Sequence, residues 1–424
     1  MKALYVSYFG ALKHLSKSQI IPYLRGLVRD GVEVWWLSFE ERLPDPAEER
    51  RQRKAVAAEL ERQGIAWTPL RYHKRPSLLA TVYDTSVGVL VAAYLVVRHR
   101  IDVIHVRNHI PALIGLAVRR LVGAKLLFDL RGVMAEEYVE AGVWSPGSLP
   151  FRLVKWVEAQ ALGSADAIVM LTRRIHSSLR DTSAELRANP APVEVIPCCV
   201  DLGCYRGEGG RAVRTALGLE SATIMVYAGS LGGWYMVSEM VDFFIAAQHT
   251  FPRLHFLVLT QSPHEILDQE LDRRGVAPSR YSVRTVPSSS MPEHLAAADF
   301  GISFIRPGYS KRSSSPTKIG EYLASGLPVV TNAGIGDLDD LLQGETVGAL
   351  VSAHTPEAYQ SAATCVAVLL GDREATRTRC RAVAARQLSL ESVGWPAYLR
   401  IYRYLSGASG PETRVGRGDV GRTE

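Results

Sequence analysis

The chain has 424 residues, of which 47% are hydrophobic and 22% are charged, and its formal net charge is +6. This length exceeds one ordinary hydrophobic core, so we expect two or three globular domains. The charge is modest and no nucleic-acid-binding motif occurs, which argues against a nucleic-acid-binding protein. Five cysteines without the spacing of a zinc site are typical of a reducing cytosol.

The first forty residues predict a βαβ unit. Residues 2–8 are predicted as a strand, residues 18–30 as a helix ended by Gly31, and residues 32–39 as a second strand. Because no apolar run with a cleavage site follows the first strand, we expect no signal peptide. The loop after it lacks Gly-x-Gly-x-x-Gly, so no dinucleotide site is expected there. The pattern indicates an α/β fold with a parallel, doubly wound sheet.

An apolar helix is predicted over residues 77–98. Lys74 and Arg75 precede it, and Arg98 and Arg100 follow it. Packing against the sheet is the simpler interpretation, since buried helices of this length are common. The alternative is an interfacial helix whose face rests on anionic lipid, with the cations at headgroup level.

Two later strands, at residues 101–106 and 125–130, each end in polar residues. Ligands of open α/β sheets bind beyond the carboxyl ends of strands, so these residues are candidates for a binding edge. They are Arg107, Asn108 and His109 after the first strand, and Asp129, Arg131, Glu136 and Glu137 after the second. The alternative for Glu136 and Glu137 is a first helical turn, where acidic side chains are favoured.

A further strand, at residues 223–228, leads into a loop with three glycines. Gly229, Gly232 and Gly233 suit close approach of the backbone to a ligand, and Ser230 lies among them. The alternative is an ordinary tight turn.

A strand–loop–helix unit follows at residues 300–325. The loop contains three cations, Arg306, Lys311 and Arg312. Ser315 is predicted as the N-cap of the helix, whose free backbone N–H groups favour a phosphate.

Lys318 and Glu321 lie three positions apart and share one face of this helix. Such a pair suits a nucleotide, with a cation for the diphosphate and a carboxylate for ribose hydroxyls. The alternative is a solvated surface pair.

The stretch Pro316-Thr-Lys-Ile-Gly-Glu-Tyr-Leu-Ala-Ser-Gly-Leu-Pro-Val329 resembles the donor-site helix of GT-B-fold glycosyltransferases. It is most similar to the retaining family 4, in a Ser-Pro-Thr-Lys-x-x-Glu-Tyr variant. Members often carry two glutamates eight positions apart. Glu321 matches the second, which contacts the ribose in that family, and Ser313 stands at the position of the first.

The resemblance implies two Rossmann-like, doubly wound domains facing each other across a cleft. The implied divisions are an acceptor-side domain at 1–203, a donor domain at 211–385, a C-terminal helix at 386–406 packing back on the first domain, and a disordered tail at 407–424.

The implied activity is transfer of a hexose-type sugar from a nucleotide diphosphate sugar to a glycan, lipid-linked or small-molecule acceptor. We expect retention, no metal and no cofactor beyond the substrate. The alternative is a non-catalytic nucleotide-sugar-binding or assembly subunit of the same fold. The expected location is cytoplasmic, with peripheral contact with the inner membrane face as an added alternative.

The resemblance also assigns residues. Asp129 and Arg131 are the catalytic candidates. Donor-binding candidates are Gly229, Ser230, Arg306, Arg312, Ser313, Thr317, Lys318 and Glu321, and acceptor-side candidates are Arg107, Asn108, His109, Glu136 and Glu137. Most members hold the diphosphate with an Arg and a Lys just after the glycine loop, where this chain has Trp234 and Tyr235. Lys318, Arg312 or Arg306 is therefore predicted to supply that charge.

Overall fold

The computed structural model describes residues 1–75 and 77–407. These residues divide into two compact units. Unit 1 comprises Met1–Leu171, Ile175–Ile196 and the described chain from Gly394 onwards, and unit 2 comprises Thr172–Arg174 and Pro197–Val393. Of the predicted tail at 407–424, all but residue 407 lies outside the described residues.

Unit 1 is built on a parallel sheet of seven strands among its described residues, in the order β3-β2-β1-β4-β5-β6-β7. The strands are β1 (Lys2–Ser7), β2 (Glu33–Glu40), β3 (Ile65–Arg71), β4 (Val103–Arg107), β5 (Lys125–Leu130), β6 (Ala167–Met170) and β7 (Val193–Val195). The central strands are buried along almost their whole length, as expected when helices cover both faces of a sheet. The order of the strands reverses between β1 and β4, which is where open α/β sheets place ligands.

The helices of unit 1 follow the predicted pattern with one difference near the N-terminus. They are α1 (His14–Gln19), α2 (Ile21–Arg29), α3 (Pro46–Arg62), α4 (Ser77–His99), α5 (His109–Val122), α6 (Met134–Glu140), α7 (Leu149–Ser164), α8 (Arg173–Thr182), which begins in unit 2, and α9 (Ala184–Ala188). The helix predicted at 18–30 is two helices, because Ile20 leaves the helical conformation and Pro22 starts a new first turn.

Unit 2 has a parallel sheet of six strands among its described residues, in the order β10-β9-β8-β11-β12-β13. The strands are β8 (Thr223–Ala228), β9 (Leu254–Leu259), β10 (Tyr281–Arg284), β11 (Phe300–Ser303), β12 (Val329–Asn332) and β13 (Gly348–Val351). The helices are α10 (Gly210–Leu217), α11 (Val237–Ala247), α12 (Glu265–Arg273), α13 (Met291–Ala296), α14 (Thr317–Ala324), α15 (Leu338–Glu345), α16 (Pro356–Gly371) and α17 (Arg373–Val383). The two parallel sheets confirm the predicted α/β fold.

The last helix, α18 (Trp395–Ser406), belongs to unit 1. The indole N–H of Trp395 donates to the carbonyl of Pro22 at 2.9 Å, and a Cβ at Gly26 would meet that indole, so α18 packs tightly on α2. The C-terminal helix predicted at 386–406 is interrupted at Ser389. That residue is extended and forms a bridge with Val200, and π-type turns flank it on both sides.

Candidate functional site

The carboxyl end of β8 continues into the glycine loop. Gly229 has a φ of +139°, which side-chain-bearing residues rarely adopt, and a Cβ there would lie 2.7 Å from Nζ of Lys318. The absence of a side chain at Gly229 is therefore what allows Lys318 to approach the loop. Two residues that the sequence predicted as donor-binding, 89 positions apart, lie together.

Lys318 lies in the first turn of α14 and is only 7% exposed. Its Nζ is 4.0 Å from the ring centroid of Tyr227 and 3.8 Å from that of Tyr235. No hydrogen-bond partner reaches this Nζ among the described residues. A buried lysine held by two aromatic faces and by no carboxylate contact has unused capacity for three hydrogen bonds.

This environment changes the acid–base behaviour of Lys318. Burial lowers the pKa of its ammonium from 10.5 to about 7, although the negative charge of Glu321 acts in the opposite direction. The group is thus poised to gain or lose its proton near neutral pH. An anion placed beside it would favour the protonated form.

Glu321 follows Lys318 on the same face of α14 and is partly exposed. The hydroxyl of Tyr205 forms a side-chain hydrogen bond with its carboxylate. Tyr205 lies in the segment between β7 and α10. The sequence did not predict this hydrogen bond, since no feature near Tyr205 indicates that it contacts Glu321.

The aromatic pair after the glycine loop contacts both buried lysines of unit 2. Tyr235 covers Lys318, and Nζ of Lys311 lies 3.6 Å from the ring centroid of Trp234. The pair is held in place because Tyr235 bridges to Ile305 in the loop after β11. The Trp-Tyr pair, which stands where the family carries cations, therefore contacts one lysine of the segment before α14 and one of α14 itself. Lys311 was not among the predicted site residues.

The remaining donor-binding candidates differ in their exposure to solvent. Ser230, Arg306 and Arg312 are exposed, and Thr317 is partly exposed. Ser313 is buried, and its hydroxyl donates to the carbonyl of Ser310 at 2.6 Å. Its hydroxyl proton is therefore directed at its own turn and not at an open surface.

The predicted N-cap of α14 was wrong. Pro316 occupies the cap position, and no side chain caps the helix. The hydroxyl of Ser315 instead accepts the backbone N–H of Cys198 at 3.0 Å. This contact ties the helix start to the segment after β7, which local sequence could not indicate.

In unit 1 the two catalytic candidates form a buried ion network. Asp129 is fully buried, and its carboxylate lies 2.7 Å from Nε of Arg131 and 3.7 Å from Nη1 of Arg107. The hydroxyl of Tyr398 donates to it at 2.9 Å. Burial alone would raise the pKa of Asp129, but Arg131, a hydrogen bond from His105 and Arg107 together hold that pKa far below its ordinary value. The carboxylate of Asp129 is thus paired with both guanidinium groups, and a catalytic role for Asp129 and Arg131 stays a prediction.

The acceptor-side candidates are also brought to one edge of the sheet. His109 is buried, with Nε2 3.0 Å from the carboxylate of Glu158, and Lys155 bridges Glu158 to Glu136. Asn108 has a φ of +68° without being a glycine, and its side-chain oxygen accepts the backbone N–H of Arg131 at 2.8 Å.

Glu136 and Glu137 lie in the first turn of α6, in agreement with the alternative that the sequence left open. The positive φ of Asn108 is strained for a residue that is not glycine. Such strain is concentrated at functional sites, which agrees with a binding role for this edge of the sheet. Contact of these residues with an acceptor stays a prediction.

Gly229→Ala is expected to abolish binding of a nucleoside diphosphate, because the new methyl group occupies the position beside Nζ of Lys318. Gly233→Ala is the matched control. Its φ is also positive, at +63°, but a Cβ there meets nothing within 4 Å. Both changes add backbone strain of roughly 1–3 kcal/mol, and isothermal titration with UDP separates the two. Equal loss of affinity in both variants would show that strain, and not access to Lys318, explains the effect.

Comparison with known proteins adds family matches to this geometry. Residues 21–203 match the family model described as Glycosyltransferase Family 4, and residues 222–370 match the model described as Glycosyl transferases group 1. The D-inositol 3-phosphate glycosyltransferase of Segniliparus rotundus is 26% identical over 327 residues, which cover 74% of this chain and 68% of that protein.

Solved structures with the same fold cover nearly the whole chain. The crystal structure of HepE from Anabaena in complex with UDP and glucose has a TM-score of 0.69 at 15% identity, and the match covers 96% of this chain and 99% of that one. A glycosyltransferase from Rickettsia africae has a TM-score of 0.70 at 14% identity, with the same coverage of 96% and 99%. The two family models and the shared fold identify this chain as a GT-B-fold glycosyltransferase similar to family 4.

Proposed function

We propose that this glycosyltransferase moves a hexose-type sugar from a nucleoside diphosphate sugar to a hydroxyl-bearing acceptor, with retention and without a metal ion. The observation that carries the proposal is the buried Nζ of Lys318, which has no hydrogen-bond partner among the described residues and lies beside Gly229. A buried cation without a hydrogen-bonded partner is costly, so its position favours an anionic ligand. The crystal structure of HepE with UDP and glucose, a protein of the same fold, supports a nucleoside diphosphate as that anion.

In this proposal Lys318 binds the diphosphate, and the carboxylate of Glu321 accepts hydrogen bonds from the ribose hydroxyls. As the bond from the anomeric carbon to the diphosphate oxygen breaks, the leaving group gains negative charge. The nearby anion favours the protonated form of Lys318. The ammonium then stabilises the charge on the leaving group in a site of low polarity, where such an interaction is strong. The acceptor oxygen forms the new bond on the same face of the sugar, and its proton passes to the departing phosphate.

The acceptor is proposed as a glycan, a lipid-linked sugar or a small polyol. Curated relatives named D-inositol 3-phosphate glycosyltransferase favour a compact hydroxylated acceptor. The match spans about two thirds of the length of those relatives. Its binding edge in this proposal is the carboxyl end of β4 and β5, with Asn108, Glu136 and Glu137 nearest the surface.

A non-catalytic sugar-nucleotide-binding subunit is the second candidate. Ser313 replaces the first glutamate of the family pattern, and its hydroxyl is engaged by Ser310. The donor sugar therefore lacks one carboxylate contact that an active member would be expected to make. Release of free nucleoside diphosphate in the presence of acceptor distinguishes the two candidates, because a binding subunit gives none.

The test is thermal stabilisation by UDP, GDP, ADP and dTDP, measured on the parent and on Glu321→Ala. A ligand at about 100 times its dissociation constant should add roughly 2.7 kcal/mol of stability. We expect a shift with one nucleotide, its loss in Glu321→Ala, and its retention in Glu357→Ala, an exposed glutamate of α16. EDTA is expected to leave turnover unchanged. If no nucleotide shifts the parent, the donor-site proposal fails.

A further inference from the structure

The outer surface of α4 is the largest feature that the donor site does not use. Seven of its apolar side chains are more than half exposed. Five of these lie along one stripe, namely Leu79 at 68%, Leu90 at 72% and Val97 at 66%, together with Val82 and Tyr94. Between Leu78 and Val97 the one charged residue is Asp84, which faces inwards and is 1% exposed. An exposed helix face of a water-soluble domain normally carries charged residues. An exposed apolar stripe without them indicates a surface that binds another molecule.

The inner half of the same helix belongs to the core of unit 1. The carboxylate of Asp84 accepts hydrogen bonds from the hydroxyl of Tyr8 at 3.1 Å and from the backbone N–H of His73 at 2.9 Å. Gly88 lies so close to Ile114 of α5 that a Cβ would come within 2.6 Å of it.

By length and composition α4 is the one helix of the described chain that could cross a bilayer. Crossing would remove these inner contacts, so the geometry favours a helix that lies on a surface with its outer stripe buried.

A second apolar stripe extends this surface. α5 packs against both α4 and α7, which places the three helices in one layer on the sheet. On α7, Leu149, Leu153 and Trp156 lie four and three positions apart and are 71%, 40% and 48% exposed. We call the exposed stripes of α4 and α7 the apolar face.

The charges around the apolar face indicate what covers it. Lys74 and Arg75 before α4, and Arg98 and Arg100 at its end, are all exposed. In a dimer formed through α4, either orientation of the helices would bring basic ends against basic ends, which disfavours a second copy. An anionic lipid surface instead offers hydrocarbon to the stripe and phosphate to the cations at both ends. Tyr94 and Trp156 are the residue types that favour the bilayer interface.

We propose that the apolar face docks unit 1 on an anionic lipid bilayer, with α4 parallel to the surface and its terminal cations among the headgroups. This surface is separate from the donor site in unit 2, and docking requires no nucleotide. It would bring unit 1 to acceptors that are themselves embedded in lipid.

The experiment is flotation of the full chain with vesicles of phosphatidylcholine alone, and with vesicles that contain 30% phosphatidylglycerol. We expect binding to the anionic vesicles that weakens at high salt, because exposed cations are screened. Leu90→Glu/Val97→Glu is expected to lower vesicle affinity by at least about tenfold, because two charges replace apolar contacts with the bilayer.

Lys74→Glu/Arg98→Glu should weaken binding to anionic vesicles by a similar factor, since each cation near the surface is worth roughly fivefold. The matched control is Val368→Glu on α16 of unit 2, which is 74% exposed and should bind as the parent does.

All four replaced positions of the test variants are exposed, so the variants should retain the thermal unfolding temperature of the parent. Absence of parent binding to anionic vesicles would overturn the proposal. So would undiminished binding by Leu90→Glu/Val97→Glu. A dimer in light scattering that Leu90→Glu/Val97→Glu dissociates would show that a second copy, and not lipid, covers the apolar face.

Discussion

Replacing Lys318 with methionine is expected to abolish nucleotide binding and, at the same time, to stabilise unit 2. Methionine keeps the length of the side chain between Tyr227 and Tyr235 but removes the buried charge. A fall in pKa from 10.5 to about 7 corresponds to roughly 5 kcal/mol of unfavourable burial, since one pKa unit is about 1.4 kcal/mol. Part of this is returned by contacts with the rings, so we expect a gain of about 2–4 kcal/mol in the free energy of unfolding.

The gain should depend on pH in a defined direction. Between pH 7 and 10.5 the unfolded chain keeps the proton on Lys318 while the folded chain releases it. The unfolding free energy of the parent therefore rises with pH across this window, and the methionine variant lacks that rise. The difference between the two should be largest at pH 6 and nearly absent at pH 10, as measured by urea denaturation with circular dichroism.

Nucleotide affinity provides the independent readout. The diphosphate binds best to protonated Lys318, so the affinity of the parent for UDP should fall as pH rises above 7, by up to about tenfold per pH unit. Titration in two buffers of different ionisation enthalpy should show proton uptake in the parent. With Lys318→Met we expect neither binding nor uptake, and a loss of at least about 10² in kcat/KM.

Arg312→Met is the comparison variant, because Arg312 is an exposed cation of the segment just before α14. It should leave both stability and its pH dependence unchanged. A Lys318→Met variant that is less stable than the parent, and still binds UDP, would assign Lys318 a purely structural role and end the donor-site proposal.

The fold was largely predictable from sequence because its parallel strands are short apolar runs between turn residues. Most strand and helix limits agree with the structure to within two residues. Two helices differ from the prediction, one because of a contact with a distant part of the chain and one because of a local signal that was overlooked. Ser389 breaks the C-terminal helical run because Val200, almost 190 positions away, pairs with it. Pro22, by contrast, is a local signal for a new helix start.

The residues of the proposed donor site could be grouped from the sequence, but their packing could not. The order of strands and the helix start after a polar loop place Gly229, Lys318 and Glu321 at one edge of the sheet. What sequence could not show is that Lys318 is buried between two tyrosines, since Tyr227 and Tyr235 reach it only through packing. The Trp-Tyr pair was interpreted as a loss of charge, whereas the structure shows that it carries two lysines.

The strand-end rule also located the polar cluster of unit 1 without indicating what its members contact. Asp129, Arg131 and Arg107 are at the expected ends of β4 and β5, but they pair with one another. Tyr398, which completes the network, comes from α18 near the end of the chain. A rule about strand ends cannot anticipate partners from so distant a segment.

Asp129→Asn is expected to destabilise unit 1 by about 3–5 kcal/mol, because it leaves buried Arg107 and Arg131 without their counter-charge. The stabilisation from Asp129 is present above the ordinary carboxyl pKa near 4 and is lost as pH falls below it, since the folded-state pKa is lowered. Measurements at pH 7 therefore report its full effect. Tryptophan fluorescence during urea denaturation reports mainly on unit 1, because Trp234 alone of the seven tryptophans lies in unit 2.

Glu194→Gln is the matched control, because it also removes a carboxylate paired with α18, but in an ion pair whose partner, Arg400, is nearly half exposed. That change should cost no more than about 1 kcal/mol. The pair of variants also bears on the predicted catalytic role of Asp129. If Asp129→Asn retains the stability of the parent and loses turnover, the carboxylate acts in the reaction. If stability falls and turnover per folded molecule is retained, Asp129 and Arg131 hold the ends of β4 and β5 to α18.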